Sequence, residues 1–124
     1  MMRKFQLTLL IGFILFVGYL SVSKTLGFGD LTSWLEVSVG GDKMLHFCIA
    51  SILCLLSLIT FEDKFSWWKI VGVLMGLLLC EELVQIVLPN RYFGFDDLLA
   101  AWGGLLWVGI LYKGTQILVE KMIK

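Results

Sequence analysis

Apolar residues run in four long blocks separated by short polar stretches. Residues 5–22 carry no charged side chain, and residues 43–61 hold only Lys43 and His46 as basic groups. Residues 67–88 are apolar apart from Lys69 near the start and Glu81, Glu82 and Gln85 near the end. Residues 97–115 open on Asp97 and stay largely apolar as far as Lys113. Each block is close to the roughly 20 residues that a helix needs to cross a 30 Å hydrocarbon layer. Lipid offers no partner for a free backbone amide, so such blocks are read as helices and not as open strands. The single proline, Pro89, follows the third block and is a stop signal for that helix.

The links differ in length. Residues 62–66 and 89–95 make tight turns, which set adjacent helices antiparallel. The link between the first two blocks is longer. Within it Leu31, Trp34 and Leu35 share one helical face, and Ser33 to Glu36 has the spacing of a capping box. A short helix lying in the membrane interface is one reading, and an ordinary loop is the other. Arg3, Lys4 and Ser21-Val22-Ser23 around the first block resemble a signal peptide, but an 18-residue apolar stretch is long for one and favours a retained anchor.

Composition agrees with this pattern. The 124 residues are 59% hydrophobic and 16% charged, against about 45–50% and about 25% in soluble domains. A soluble core of this length has no room for so much apolar surface. The fold expected is all-α: a single membrane domain over residues 1–124, an integral bundle of four transmembrane helices in the lipid bilayer. Ten Lys/Arg balance ten Asp/Glu, with no basic tail to mark nucleic acid as a partner. With the N-terminus inside, Arg3, Lys4, Lys64, Lys69, Lys113, Lys121 and Lys124 face the cytoplasm, and Lys24, Lys43 and Arg91 face out. That asymmetry predicts both termini on the cytoplasmic side.

This topology gathers the unusual polar residues at one membrane boundary. Asp42, Lys43 and His46 fall at the outer end of the second helix; Glu81, Glu82 and Gln85 fall in the outer third of the third. Arg91 lies in the outer turn, and Asp96 and Asp97 open the fourth helix, where the helix dipole favours negative charge. Asp42 and His46 are four residues apart and share a face. A carboxylate at the depth of Glu82 costs up to about 2.5–3.5 kcal/mol, so it should turn inward towards Arg91, Lys43 or His46. Small residues at Gly72 and Gly76, and at Ala100 and Gly104, have the spacing of close helix approach. Cys48, Cys54 and Cys80 fit no metal motif and read as buried hydrophobes. Trp67, Trp68 and Trp102 read as interface anchors.

Four elements in order, Asp42-Lys43-x-x-His46-Phe47, Glu82-x-x-Gln85, Pro89-Asn90-Arg91 and Asp97-Leu98-Leu99-Ala100-x-x-x-Gly104, resemble the VanZ-like family of membrane proteins. The resemblance covers residues 42–104 and singles out Glu82 over Glu81 and Asp97 over Asp96. Asn90 stands where the family has Gly, and Ala101 where it has Asn. The resemblance implies a multi-pass protein of the bacterial cytoplasmic membrane, of the cell envelope, in a family whose namesake is associated with resistance to the antibiotic teicoplanin. Some relatives carry a phosphotransbutyrylase label, but this chain has no glycine loop to cradle phosphate.

Three readings of the cluster stand. In one, Asp42, Lys43, His46, Glu82, Gln85, Arg91 and Asp97 bind a polar headgroup or a cell-wall precursor, with Lys43 and Arg91 on an anion. In another, the chain is a membrane-embedded hydrolase or transferase in which Glu82 or Asp97 acts as base and His46 as acid. In the third, the charges only fasten helices together. One histidine makes a zinc site weak, so no metal or cofactor is assigned, although carboxylate-bound magnesium or calcium stays open.

Overall fold

The computed structural model describes residues 2–27, 30–88 and 94–123. Those residues form five α-helices and no strand: α1 (Met2–Thr25), α2 (Asp30–Val39), α3 (Asp42–Phe61), α4 (Trp67–Gln85) and α5 (Phe95–Ile123). The four long helices correspond to the four apolar blocks. The link after the first block contains a helix, α2. Three helices, spanning Lys4–Thr25, Asp42–Phe61 and Phe95–Ile123, are long and apolar enough to cross a membrane. The 19-residue α4 carries Lys69, Glu81 and Glu82 within its length. Large apolar side chains such as Leu15, Val73, Leu77 and Ile110 are exposed all round the bundle. That is the surface of a membrane protein and not of a water-soluble one.

The core lies between α3, α4 and α5. Ala50, Cys54 and Leu58 repeat every fourth residue on α3 and meet Ala101 and Leu105 of α5 and Ile70, Val71 and Leu74 of α4. The α3–α5 seam is the closest. A methyl group added at Gly104 would stand 2.5 Å from the Phe47 carbonyl oxygen and 2.9 Å from Ser51 Oγ. Glycine is therefore required there, and Gly104 sets how near the two helices come. Gly109 plays a milder version of this part against Val71 on α4. Among the described helices α1 packs on α3 and α2.

Several sequence expectations change. Gly72 and Gly76 have nothing within 4 Å and are exposed, so they do not mediate packing among the described residues. Of the cysteines only Cys54 is buried, its thiol 3.4 Å from the Leu105 carbonyl; Cys80 is exposed. Trp102, expected as an interface anchor, packs partly buried against the bundle core. It lies well inside α5, and its indole N–H donates to the Met75 carbonyl of α4 at 3.1 Å. The helix α4 ends at Gln85 and not at Leu88. Proline at 89 offers no N–H to the Gln85 carbonyl, four residues back, and Leu88 N–H donates to it instead at 3.3 Å.

The helix α5 outruns residue 115 to reach Ile123, a length of about 43 Å at roughly 1.5 Å per residue. The capping box at Ser33 is not made, because α2 starts at Asp30 and leaves Ser33 inside the helix. Glu36 turns to Lys24 of α1 at 3.3 Å. Thr32 is the buried residue of α2 and donates to the Leu20 carbonyl at 3.4 Å, while Trp34 stays 64% exposed. The packed face of α2 is therefore mixed, Thr32 and Glu36 together with the partly buried Leu35 and Val39, and Leu31 and Trp34 point away from the bundle.

Candidate functional site

The corner between α2 and α3 places the first group. Gly40 and Gly41 adopt φ of +105° and +132°, a region that side-chain-bearing residues avoid. Two such residues in succession turn the chain sharply and start α3 at Asp42. His46 follows one helical turn later. Its Nε2 lies 3.4 Å from Asp42 Oδ1 and 3.7 Å from Asp97 Oδ2, in the first turn of α5. The side chains of Asp42, His46 and Asp97 are 41%, 27% and 20% exposed, so the group sits at the rim of the bundle and not in its core. The neighbouring Asp96 is exposed.

Gly94 supports two members of this group at once. Its N–H donates to Glu82 Oε2 at 3.4 Å. A methyl group at Gly94 would lie 2.6 Å from Asp97 Oδ2, so a bare Cα is what lets the carboxylate lie across the start of the helix. Sequence reasoning passed over Gly94; its place immediately before a helix that opens on two aspartates was the available signal.

Glu82 and Gln85 are each only 4% exposed. Gln85 Nε2 donates to Glu81 Oε1 at 3.3 Å, the four-residue pairing that their spacing predicts. Glu82 lies within electrostatic range of His46 and Asp97, and Lys43, itself exposed, within range of Asp97. Among the described residues no lysine or arginine nitrogen comes within 4 Å of Asp42, Glu81, Glu82 or Asp97. Arg91, with Pro89 and Asn90, lies outside the described residues, and so does its expected contact with Glu82.

A cavity of about 90 Å3 adjoins the cluster. Asp42, His46 and Glu81 line one side, and Lys24 and Glu36, already paired to each other, line the other. Sequence reasoning put Lys24 and Glu36 at the same boundary but did not join them to the cluster. Ala101, at the position where Asn was expected by resemblance, also lines the cavity. Leu53 is shared between this cavity and an apolar groove of about 640 Å3 that runs between α1 and α4 with α3 as its floor. Leu10, Ile14, Leu74 and Leu77 form the groove walls.

Chemically, this end of the bundle offers carboxylates and an imidazole to a polar group, with hydrocarbon walls directly alongside. Comparison with family models, with curated proteins and with solved structures found no match.

Proposed function

We propose that this chain is a VanZ-like protein of the bacterial cytoplasmic membrane, crossing it four times with both termini inside, and that its outward cluster binds the polar head of an envelope lipid or cell-wall precursor. The observation that carries the reading is a small set of charged and polar side chains lining an otherwise apolar cavity that adjoins an apolar groove. The cavity beside Asp42, His46 and Glu81 is walled mostly by apolar side chains, Leu20, Leu45, Ile49 and Leu78 among them, and it shares Leu53 with the apolar groove between α1 and α4. An amphiphile needs such a pair: polar partners for its head and a water-free surface for its chain. A link to glycopeptide susceptibility follows from the resemblance and belongs to the same proposal.

The test is lipid retention. Purified protein is loaded with total envelope lipid, washed and examined by native mass spectrometry. Wild type should keep a defined lipid, and His46→Ala and Lys43→Ala should lose it at unchanged protein yield. Equal retention by both variants would return the cluster to a purely structural role. A lipid of altered mass after incubation would instead favour catalysis by Glu82 or Asp97 with His46, a reading that the 3.7 Å Asp97–His46 approach supports. Topology is tested separately. A cysteine at Asn90 should react with an impermeant maleimide on intact cells, and reaction only after lysis would invert the orientation.

A further inference from the structure

Two carboxylates from different helices meet at one nitrogen. Asp42 Oδ1 and Asp97 Oδ2 approach His46 Nε2 to 3.4 Å and 3.7 Å. An imidazole nitrogen holds one proton or one lone pair, so it serves one of these oxygens at a time, and the two carboxyl groups also lie within hydrogen-bonding reach of each other. The three atoms all lie within 4.8 Å of one another. Around a tetrahedral ion with bonds of about 2.1 Å, adjacent ligand atoms stand about 3.4 Å apart. One nitrogen–oxygen distance here equals that edge, and the other exceeds it slightly.

A separate observation points the same way. Glu82 is 4% exposed and within electrostatic range of His46 and Asp97. It accepts a hydrogen bond from the Gly94 N–H at 3.4 Å, and among the described residues no lysine or arginine nitrogen lies within 4 Å of it. Buried carboxylates are stable when paired with a cation or bound to a metal. Among the described residues, three carboxylates gather near one histidine, with the exposed Lys43 in electrostatic range of Asp97.

We propose that Asp42, His46 and Asp97 coordinate a divalent transition-metal ion, with the Glu82 carboxylate beside it as a buried counter-charge. One imidazole nitrogen and two carboxylate oxygens suit manganese or zinc; calcium and magnesium prefer oxygen alone. Three protein ligands leave a position open. Because Asp42 and His46 also line the cavity, that position is available to an oxygen of an anionic head. Only this last ligand rests on the headgroup reading; the ion needs no lipid.

The test uses the full chain in detergent, stripped with chelator and titrated with Mn2+, free ion being followed by its electron paramagnetic resonance signal. Wild type should take up a single ion per chain, and added Zn2+ should displace it. His46→Ala and Asp97→Asn should each weaken uptake by at least about tenfold, whereas Glu120→Gln, on the exposed end of α5, should leave it unchanged. Circular dichroism melts identify any variant that has lost its fold, in which case the milder His46→Gln is read instead. No uptake by wild type, or equal uptake by a folded His46 variant, overturns the site. Failure of the headgroup reading looks different: Mn2+ uptake is intact while no lipid is retained.

Discussion

At one end of the bundle Asp42, His46 and Asp97 converge from two helices beside a buried Glu82; at the other end, charge is spread out and wet. There Glu62 is exposed and accepts a hydrogen bond from Gln116 at 3.1 Å, and Lys69 rests 5.4 Å over the ring of the exposed Trp68. Each of those groups keeps its own water and asks little of its neighbours, and contacts of that kind contribute at most about 1 kcal/mol. The first end is the reverse. Its groups are partly or wholly withdrawn from water, carry like charge and depend on glycines to come together at all. Charges at a bundle's ends therefore say little until their burial is known. Burial separates a solvated cap from a site.

The contrast can be broken by separating the helices that make the first end. Gly104→Leu should cost on the order of 3 kcal/mol, because the new side chain meets the Phe47 backbone and not a flexible neighbour. Thermal melts in detergent and membrane abundance should both fall sharply; an unchanged melt would mean that the cluster does not depend on the α3–α5 approach. A smaller loss, about 1 kcal/mol, is expected from Gly94→Ala, which meets Asp97 Oδ2 at 2.6 Å and displaces the end of a flexible side chain and not backbone. Its signature is a loss of lipid retention that outruns the loss of stability.

The Glu82 and Arg91 pairing is read by a double-mutant cycle. If the two groups meet, Glu82→Gln and Arg91→Gln should be non-additive in melting free energy by about 1 kcal/mol, and additive losses would remove the pair. Smallest of all is the far end, where Gln116→Ala should shift stability by less than about 0.5 kcal/mol. A large effect there would erase the difference between the two ends.

Much of this architecture could be read from the chain. Four long apolar blocks and short turns predict antiparallel helices, and antiparallel helices carry Asp42, Glu82 and Asp97 to the same end. The four-residue spacings of Asp42 with His46 and of Glu81 with Gln85 are contacts in the structure. Helix rotation was far less legible. A helix that is apolar on every side has no polar face to mark its outside, so Cys80, Gly72 and Gly76 were placed inward when they face outward. Trp102 was misread for a related reason. An indole N–H finds its partner through the depth and packing of the neighbouring helix, and a linear pattern holds neither. The part of Thr32 and Glu36 in the packing face of α2 was hidden because they look like solvent-facing residues until Leu20 and Lys24 are set beside them.

The seam at Gly104 also bears on the order in which the protein is made. A ribosome delivers Asp42 and His46 first, then Glu82, and Asp97 only with α5. Until α5 docks through Gly104, the earlier helices hold an unfinished arrangement of charge. Completion of the cluster thus waits on the docking of α5, and a nascent chain stalled before α5 should present the quality-control proteases of its membrane with polar groups more exposed than they are once α5 has docked.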